Sequence, residues 1–425
     1  MRKMKNSGVA WIGDVPENWE TIPNKYLMRK VKAICQKYSN EDVLSLTMNG
    51  VIKRDLDNPS GKMPSTFDGY QFVYAGNLLM CLFDIDVTPR CIGLIENDGI
   101  TSPAYSQFEL KRNAFNRYYY YYYLYLDNKK ELLHLAKNLR HSFTEEQFGQ
   151  ISTVVPPIEQ QHLIANQLDF VCKKVEDLIS NQEQQIEKLK QYKQSLITEV
   201  ATKGLNPDVS MKDSGVKWIG MIPKHWIVKR TKFVANALEK GKGITKEEVM
   251  SDGDIQCVRY GEIYTKYNQG FTDCVSRTNL EIIQPHQFFE HGDILFAGTG
   301  ELVEEIGKNV VYLGNEKCLA GGDIIVMKHH QDPDFLNYAL NSIYSQKQKS
   351  YGKAKLKVVH ISADNIGNVK IALPPLDEQQ RIATYLDDKC AKIDRLIAIK
   401  QEKINKLNDY KKSLIYEYVT GKKEA

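Results

Sequence analysis

The sequence predicts a mixed α/β (α+β) protein, in which two globular α/β domains are joined by two long helices that form an antiparallel coiled coil. Three observations support this prediction. The chain of 425 residues contains a tandem internal repeat, each copy ends in a long segment with heptad spacing, and strand-and-turn patterns fill the residues between the repeated segments. The repeat also predicts a pseudo-two-fold relation between the halves.

Composition is typical of a globular protein. Apolar residues make up 42% and charged residues 26% of the chain, and the formal net charge is +4. The longest apolar run without tyrosine, Leu78–Phe83, is far shorter than the ~20 residues of a membrane span. The 8 cysteines form no CxxC pair, which favours reduced, buried thiols over disulfides or a zinc site. We therefore expect a cytoplasmic protein, and the mild basic excess permits a nucleic-acid partner.

The first repeated element is a tryptophan-containing segment. Residues Ser7–Trp19 recur 207 positions later as Ser214–Trp226, with the shared pattern Ser-Gly-Val-x-Trp-Ile-Gly-x-x-Pro-x-x-Trp. All 4 tryptophans of the chain lie in these two segments. We therefore expect the two copies to adopt the same structure.

The second repeated element predicts a long helix. Pro156–Thr202 matches Pro374–Thr420 without a gap, 218 positions later, and neither proline nor glycine interrupts the first copy after its proline pair. A helix of ~40 residues would be ~60 Å long. Apolar residues recur every seven positions, which predicts a coiled coil between the two copies. The predicted coiled-coil residues are Ile164, Leu168, Val171, Val175, Leu178, Leu189, Tyr192, Leu196, Ile382, Leu386, Ile393, Leu396, Leu407, Tyr410 and Leu414.

A different packing of these helices stays open at this point. Each helix could instead pack on its own globular domain, because one apolar stripe needs only one partner. The polar middle of the heptad pattern, with Gln182 and Gln185 in one copy and Lys400 and Lys403 in the other, is consistent either with a register-setting contact or with solvated side chains.

The repeated segments predict the domain boundaries. The predicted order is a first domain (1–155, including the tryptophan segment 7–19), a first helix (156–204), a linker with the second tryptophan segment (205–226), a second domain (227–373) and a second helix (374–425). The two domains share little sequence beyond their ends.

The domains themselves show strands separated by turns. Residues 70–79 and 288–296 share a strand–turn–strand pattern, and Ile151–Val155 and Val369–Leu373 predict short strands before the proline pairs. Thr144–Gln147 fits a capping box. The six tyrosines of Tyr118–Tyr123 favour a strand or short helix in the core, and an exposed stacking surface for nucleic acid is the alternative.

The sequence contains no complete catalytic motif of the kinds considered below. Phe296–Glu301 resembles the glycine loop of a methyltransferase, but no Asn/Asp-Pro-Pro-Tyr/Phe motif accompanies it, and a strand followed by a turn explains it better. The chain also lacks a Walker-type phosphate loop. The pair His329-His330 has no partner at metal-ligand spacing, so a surface pair is favoured.

These repeats resemble those of type I restriction–modification specificity (S) subunits. The resemblance rests on the two tryptophan segments, the two Pro-Pro-(Ile/Leu)-(Glu/Asp)-x-Gln helix starts and the two Tyr-Lys-x-Ser-Leu-Ile-x-Glu helix ends. It covers the whole chain, whereas the domains between match only in patterns such as Asp98–Tyr105. In that family each variable unit is a target recognition domain that reads half of a bipartite DNA site.

The resemblance implies a non-catalytic subunit of a bacterial or archaeal complex. Its expected partners are double-stranded DNA, two methyltransferase (modification) subunits that carry S-adenosylmethionine and methylate adenine, and restriction subunits that use ATP and magnesium. No cofactor or metal is expected in this chain. Two other hypotheses are a self-sufficient DNA methyltransferase with a duplicated core and a coiled-coil scaffold without a nucleic-acid partner.

Candidate DNA contacts were chosen by charge and position, because the recognition domains diverge. Clustered lysines and arginines can neutralise phosphates, although a lysine run such as the five lysines of Phe335–Ala363 is as often a solvated surface. The candidates are Lys53, Arg54, Lys62, Arg90, Tyr105, Lys137, Arg140, Lys240, Lys242, Arg259, Tyr260, Lys266, Arg277, Lys353, Lys355 and Lys357.

Overall fold

The computed structural model describes residues 3–58, 63–111, 114–136, 141–283, 285–353 and 358–425. By its contacts the chain divides into two compact units, the first being Met1–Glu183 with Gln401–Ala425 and the second Gln184–Lys400. Each unit therefore contains one variable region, the start of one long helix and the end of the other. This division is not the linear one that the sequence predicts.

The first unit contains twelve of the strands that the structure describes. They are β1 (Met4–Asn6), β2 (Asp14–Pro16), β3 (Glu20–Pro23), β4 (Met28–Val31), β5 (Leu44–Thr47), β6 (Gly50–Lys53), β7 (Gln71–Val73), β8 (Leu78–Met80), β9 (Ile92–Leu94), β10 (Gly99–Thr101), β11 (Ser106–Leu110) and β12 (Ser152–Val155). Its helices are α1 (Asn24–Leu27), α2 (Asn116–Lys129), α3 (Glu145–Gln150) and the start of α4 (Ile158–Lys203), with a 3₁₀ turn at Glu131–Leu135. The largest sheet has the order β4-β11-β8-β9.

The second unit repeats this plan with additional strands. They are β13 (Met211–Asp213), β14 (Met221–Pro223), β15 (Ile227–Arg230), β16 (Ala235–Lys240), β17 (Ile255–Val258), β18 (Gly270–Phe271), β19 (Ser276–Thr278), β20 (Phe288–Phe289), β21 (Ile294–Ala297), β22 (Thr299–Gly300), β23 (Asn309–Tyr312), β24 (Cys318–Ala320), β25 (Ile324–His329), β26 (Val359–His360) and β27 (Lys370–Leu373). The helices are α5 (Tyr260–Thr265), α6 (Pro333–Asn341), α7 (Ile343–Ser350), α8 (Ala363–Asn368) and α9 (Leu376–Val419), with 3₁₀ turns at Thr231–Phe233 and Val303–Glu305. Its largest sheet has the order β16-β25-β21-β23-β18, and a second sheet has the order β19-β17-β24-β20.

The repeated sequences build the same frame in both units. The hairpin β1–β2 corresponds to β13–β14, and the antiparallel pair β3–β12 corresponds to β15–β27. A capping box starts α3 at Thr144 and α8 at Ser362. The pairs β3–β12 and β15–β27 each join the residues after a tryptophan segment to the residues before a long helix, so the two ends of each variable region are held together.

The tryptophan segments are anchored by the long helices. In the first unit the Trp19 indole nitrogen donates to Gln160 at 2.8 Å, and in the second the Trp226 indole nitrogen donates to Glu378 at 3.1 Å. Trp19 and Trp226 are fully buried. The repeated identity therefore reflects one packing arrangement made twice.

The run of tyrosines lies in a helix and supplies the core. Tyr118, Tyr119, Tyr122 and Tyr123 in α2 are almost completely buried, together with Trp19 and the residues around it. The Tyr118 hydroxyl donates to the Val419 carbonyl at 2.9 Å. The core interpretation is thus correct, and these four rings are not available for stacking on bases.

The long helices pair in antiparallel fashion, and two ion pairs related by the repeat show it. In the second unit Lys193 of α4 lies 2.7 Å from Asp394 of α9, and in the first unit Lys411 of α9 lies 3.2 Å from Glu176 of α4. Lys193 and Lys411 occupy equivalent repeat positions, as do Glu176 and Asp394. The predicted fold class and antiparallel helix pair are confirmed.

One of the two predicted heptad rows is wrong by one residue. The members of the row containing Leu168 and Leu386 are buried or half-buried, as are Ile164 and Ile382 at the helix starts. Leu178, Tyr192, Leu396 and Tyr410 were predicted in the core but are 46–59% exposed. The neighbouring row is buried or half-buried instead, and it comprises Ala165, Cys172, Ile179, Ile186, Lys193 and Val200 in α4 and Ala383, Cys390, Ile397, Ile404, Lys411 and Tyr418 in α9.

The displacement has a geometric cause. Either neighbouring row alternates with the Leu168 row in steps of three and four residues, so spacing alone cannot choose between them. In the predicted row that starts at Ile164, Val171 is half-buried. In the row that contains Leu168 and Leu386, Val175, Ile393 and Leu414 are buried, and Leu189, Leu196 and Leu407 are half-buried. Contacts of both helices with the globular cores decide the rotation.

In each unit the long helices pack on each other and also on the globular domain. The first core contains Ile164 and Leu168 from the start of α4 and also Leu414 and Val419 from the end of α9. In the polar middle the Lys400 ammonium of α9 donates to the Gln185 side-chain oxygen of α4. Among the described residues no helix is both long and apolar enough to cross a membrane.

Candidate nucleic-acid interface

Three of the predicted contact residues line one cavity of the second unit. This cavity, called the lysine cavity below, has a volume of about 600 Å³ and lies between the segment after β16, helix α5 and the turn before β25. Its lining residues include Arg259, Tyr260 and Lys266. The residues that complete it are Gly243, Ile244, Thr245, Lys246, Gly261, Glu262, Thr265, Gly321, Gly322 and Asp323.

Glycines allow two backbone segments to cross at this cavity. A Cβ atom on Gly241 would lie 2.1 Å from the Gly321 carbonyl oxygen, which no side chain tolerates. Gly322 approaches Gly243 less closely, since a Cβ atom on Gly322 would lie 3.0 Å from the Gly243 Cα. The cavity wall is therefore bare backbone, to which a ligand can approach closely.

Arg259 is held in place by a buried carboxylate. Its guanidinium nitrogens lie 3.3 and 3.4 Å from Glu262 Oε1, and its backbone N–H donates to Glu262 Oε2 at 3.0 Å. Ser276 also donates to Glu262 Oε1. Because Arg259 has five N–H donors and only some of them are used, the group is oriented and still able to bind an acceptor.

Three lysines around the cavity have free ammonium groups. Lys242 is exposed and adjoins the lining glycine Gly243, and Lys246 and Lys266 are exposed in the lining itself. Within the described ranges none of the three ammonium groups has an ion pair or a hydrogen bond. Tyr260, 40% exposed, stands beside them. The cavity thus combines unpaired positive charge, an exposed aromatic ring and accessible backbone, which suits a phosphate-bearing ligand.

Other predicted contacts in the second unit are engaged internally. Lys240 pairs with Asp323 at 3.2 Å. Arg277 donates to the Gly253 carbonyl at 2.7 Å, and Lys353 donates to the His360 carbonyl at 2.7 Å. These contacts explain their positions structurally, and their role toward DNA stays a prediction.

The predicted contacts of the first unit do not converge in the same way. Lys53 pairs with Asp42 at 2.6 Å. Arg90 donates to the Met48 carbonyl and to the Tyr120 hydroxyl, so it ties the β5–β6 hairpin to α2. Tyr105 is half-buried, and burial raises the pKa of its hydroxyl. Arg54 is half-buried at the end of β6.

Five predicted contacts lie outside the described residues: Lys62, Lys137, Arg140, Lys355 and Lys357. One lysine of the predicted basic run, Lys349, is completely buried, so the picture of that run as a continuous basic surface is wrong.

A larger cleft of the first unit is mixed in charge. It has a volume of about 720 Å³ and lies between the β5–β6 hairpin, α2 and both long helices. Its lining includes Arg90, Arg117 and Lys411 but also Glu96 and Asp169. The acids partly cancel the positive charge, so this cleft fits a polyanion less well than the lysine cavity does.

Comparison with known proteins shows similarity to one family. Residues 223–409 match the family model for the type I restriction modification DNA specificity domain. The chain is 27% identical over 420 residues to the type I restriction enzyme MjaVIII specificity subunit of Methanocaldococcus jannaschii, covering 96% of this chain and 93% of that protein. It is also 28% identical, over 73% of its length and 69% of the relative's, to the putative MjaX specificity subunit of the same organism.

The chain is similar to type I restriction–modification specificity subunits over nearly its whole length. This confirms the resemblance drawn from the repeated segments. These relatives are named specificity subunits, which supports neither a self-sufficient methyltransferase nor a scaffold without nucleic acid.

A solved structure shares the fold of this chain. It comes from work titled as the structural basis of complex assembly and conformational transition of the type I R-M system. The TM-score is 0.68 at 15% sequence identity, with 95% of this chain and 98% of that chain covered. At this identity the likeness concerns the fold alone.

The structure shows where the two motifs considered for catalysis and metal binding lie. Phe296 and Ala297 end strand β21, and Thr299–Gly300 forms the short strand β22, so the glycine loop is a strand followed by a turn. Among the described residues no group of three or more His, Cys, Asp or Glu side chains could hold a metal ion. Burial lowers the pKa of His329, so it is not a free surface histidine.

Sequence reasoning missed further exposed lysines of this chain. Lys246 was not among the candidates, although it lines the lysine cavity. In the first unit Lys32 and Lys37 are exposed in the segment after β4, which corresponds to the segment after β16. Aligning the two repeats beyond their identical residues would have found all three, because each follows the first strand of the main sheet of its unit.

Proposed function

We propose that this specificity subunit is a non-catalytic DNA reader in which each recognition domain binds one half of a bipartite target. The observation that supports it best is the lysine cavity, where Lys242, Lys246 and Lys266 keep unpaired charges beside Tyr260. Phosphate contacts of this kind position a domain on DNA, and neighbouring polar side chains can then read base edges in the major groove.

The helix pair would set the number of base pairs between the two half-sites. It can do so because α4 and α9 are continuous helices of 46 and 44 residues, each of which contributes to both units. Helices paired through ion pairs and apolar rows resist sliding, since a shift would break the pairs Lys193–Asp394 and Lys411–Glu176 together.

Methyltransferase subunits are proposed to dock on repeated apolar residues of the long helices. Leu178 and Tyr410 are exposed in the first unit, and their repeat equivalents Leu396 and Tyr192 are exposed in the second. Exposed apolar residues kept at equivalent positions favour two copies of one partner. Restriction subunits would complete the complex, with S-adenosylmethionine, ATP and magnesium held by the partners.

The test is methylome sequencing of a strain that carries the chain with its partner genes. We expect adenine methylation in one motif made of two specified segments around an unspecified spacer. Methylation without such a motif, or methyl transfer by the purified chain alone, would contradict the proposal.

The lysine cavity is tested in the assembled complex. Lys242→Gln with Lys266→Gln should weaken binding to target and non-target duplexes alike and make the salt slope of log K shallower by about one to two, as expected for lost phosphate contacts. Lys217→Gln with Lys224→Gln removes two exposed lysines of the same unit elsewhere and should leave the slope unchanged. Equal slopes for the two variants would show that the cavity does not touch DNA.

A further inference from the structure

A groove beside the strand pair β15–β27 of the second unit is lined by positively charged side chains and, among the residues that the structure describes, by no acid. It is separate from the lysine cavity that we propose to contact DNA. This groove, called the ribbon groove, lies against the strand pair β15–β27 and the second tryptophan segment and has a volume of about 460 Å³. Three of its lining residues are cations, Lys229, Arg230 and Lys370, and none of its described lining residues is an acid. The others are Ser214, Gly215, Val216, Val228 and Phe233.

The cations of the ribbon groove are unpaired. Lys229 and Arg230 are exposed and Lys370 is half-buried, and in the part of the chain that the structure describes none of these side chains makes an ion pair or a hydrogen bond. The acid nearest in sequence to the tryptophan segment, Asp213, accepts a hydrogen bond from the Gly215 backbone at 2.9 Å. The positive charge is therefore not neutralised within the groove.

Two of these cations face each other directly. Arg230 of β15 is the register partner of Lys370 of β27 in an antiparallel pair, so their side chains leave the same face of the ribbon. Like charges placed directly opposite destabilise a strand pair. An anion bound between them would convert this repulsion into two attractive contacts.

The first unit shows that the fold does not need these charges. In the equivalent strand pair β3–β12, Pro23 is the partner of Ser152, and Ile22 takes the place of Lys229. The exposed aromatic ring is retained, as Tyr26 in the first unit and Phe233 in the second, 59% and 68% exposed. The three equivalent strand positions are thus uncharged in the first unit and all positively charged in the second.

We propose that Arg230 and Lys370 bind a backbone phosphate of DNA next to the segment that the second recognition domain reads. This inference rests on the proposed DNA-reading function. Arginine can grip a phosphate with two parallel N–H donors, and the lysine ammonium adds a point charge, with Lys229 available to the adjacent phosphate. A duplex is favoured over an acidic peptide because it supplies a continuous row of phosphates to cations at neighbouring ribbon positions. The contact would be made by the second unit only.

The experiment uses the full chain assembled with its methyltransferase partners and two duplexes. One carries the bipartite target with long flanks, and the other ends at the outer edge of the half-site read by the second domain. Arg230→Gln with Lys370→Gln should weaken binding to the flanked duplex severalfold and make its salt slope shallower by about one. Binding to the trimmed duplex and the methylated motif should be the same as for the wild type.

The matched control is Lys317→Gln with Lys347→Gln, which removes two positive charges from exposed positions of the same unit that do not line the groove. Thermal unfolding provides the folding check, because removing an opposed like-charge pair should leave the variant at least as stable as the wild type. An equal loss of affinity in the control, or unchanged binding of the groove variant to the flanked duplex, would overturn the inference.

Two further outcomes separate this inference from the function on which it rests. Normal DNA binding together with lost assembly of the methyltransferase subunits would overturn the phosphate site and assign the groove to a protein partner. A wild-type complex that prefers neither duplex over scrambled DNA would overturn the proposed function and the inference with it. Specific binding by the wild type with unchanged affinity in the groove variant would overturn the inference alone.

Discussion

Lys349 is a buried amine with neutral partners. Its ammonium donates to the Gly307 carbonyl at 2.6 Å and to the Asn309 side-chain oxygen at 3.2 Å, and it lies 5.8 Å from the centre of the Phe296 ring. Burial lowers the pKa of Lys349 to about 7. Its charge therefore costs stability at neutral pH, because no carboxylate compensates for the lost solvation.

The expected consequence is a pH-dependent stability of the second unit. The pKa of Lys349 is lower in the folded chain than in the unfolded chain, where it is ~10.4, so the unfolded state binds more protons between these values. Stability should rise as the pH increases from about 7 towards 10. Lys349→Met should remove this slope in chemical unfolding measured across that range. Lys347→Met, at an exposed position of the same helix, should retain it, and identical slopes in both variants would contradict the assignment.

At the scale of elements, the two variable regions contact the long helices through equivalent tyrosine–aspartate hydrogen bonds that have differently charged neighbours. In the first unit Asp169 of α4 accepts from the Tyr121 hydroxyl and pairs with Arg117, both at 2.7 Å. In the second unit Asp387 of α9 accepts from the Tyr338 hydroxyl at 2.8 Å, and Asp334 stands where Arg117 does. The repeat keeps the tyrosine–aspartate contact and exchanges the cation for an acid.

Because of this exchange, the stability of the contact between α6 and α9 in the second unit should depend on pH. Burial, followed by the carboxylates of Asp387 and Asp332, raises the pKa of Asp334 to about 6, while His291 opposes the shift. Because the folded pKa lies above the unfolded value of ~3.9, this group costs stability once the pH rises through about 6. Asp334→Asn should therefore stabilise the second unit at pH 8 by about 0.5–1 kcal/mol, with little effect at pH 4.

The reciprocal change in the first unit is the control for that prediction. Arg117→Asp should place a second acid beside Asp169 and give the first unit the acid-favoured stability that the second unit shows in the wild type. Thermal unfolding followed between pH 4 and 8 measures both variants. A pH profile of Asp334→Asn parallel to that of the wild type would show that the contact between α6 and α9 does not titrate as proposed.

At the scale of the whole molecule, the end of the chain completes the fold of its beginning. Leu414, Ile415, Tyr418 and Val419 of α9 belong to the core that contains Trp19. Gly421 has φ +68 and packs against the Trp19 ring, and the Lys422 ammonium donates to the Ile12 carbonyl at 2.7 Å. The end of α4 does the same for Trp226 in the second unit.

Deleting Ser413–Ala425 should therefore destabilise the first unit selectively. Four buried apolar side chains would leave its core, and each contributes about 1.5–3 kcal/mol when fully buried. Hydrogen exchange of the amides in α2 and in the β4-β11-β8-β9 sheet should speed up, while the sheets of the second unit stay protected. Deletion of Lys423–Ala425 alone should change neither, and uniform loss of protection in both units would contradict this partition.

The sequence by itself determined the features that depend on neighbouring residues or on the internal repeat. The identical segments, the uninterrupted heptad spacing and the strand–turn patterns required only neighbouring residues, and they correctly gave two mixed α/β domains, an antiparallel helix pair and the specificity-subunit family. The burial of the Tyr118–Tyr123 run was also predictable, since so many rings seldom lie exposed together. The lysine cavity was partly predicted, because Arg259, Tyr260 and Lys266 are close in sequence.

Only the tertiary structure decided which row of each helix faces its partner and which cations remain free. Leu178 and Ile179 both satisfy heptad spacing, and the choice between them depends on contacts with residues far away in the chain. Likewise Lys349 is buried and Lys242 is free because of segments that the sequence places elsewhere. Charge and spacing are local properties, whereas burial and pairing arise from long-range contacts, and those contacts exist only once the chain has folded.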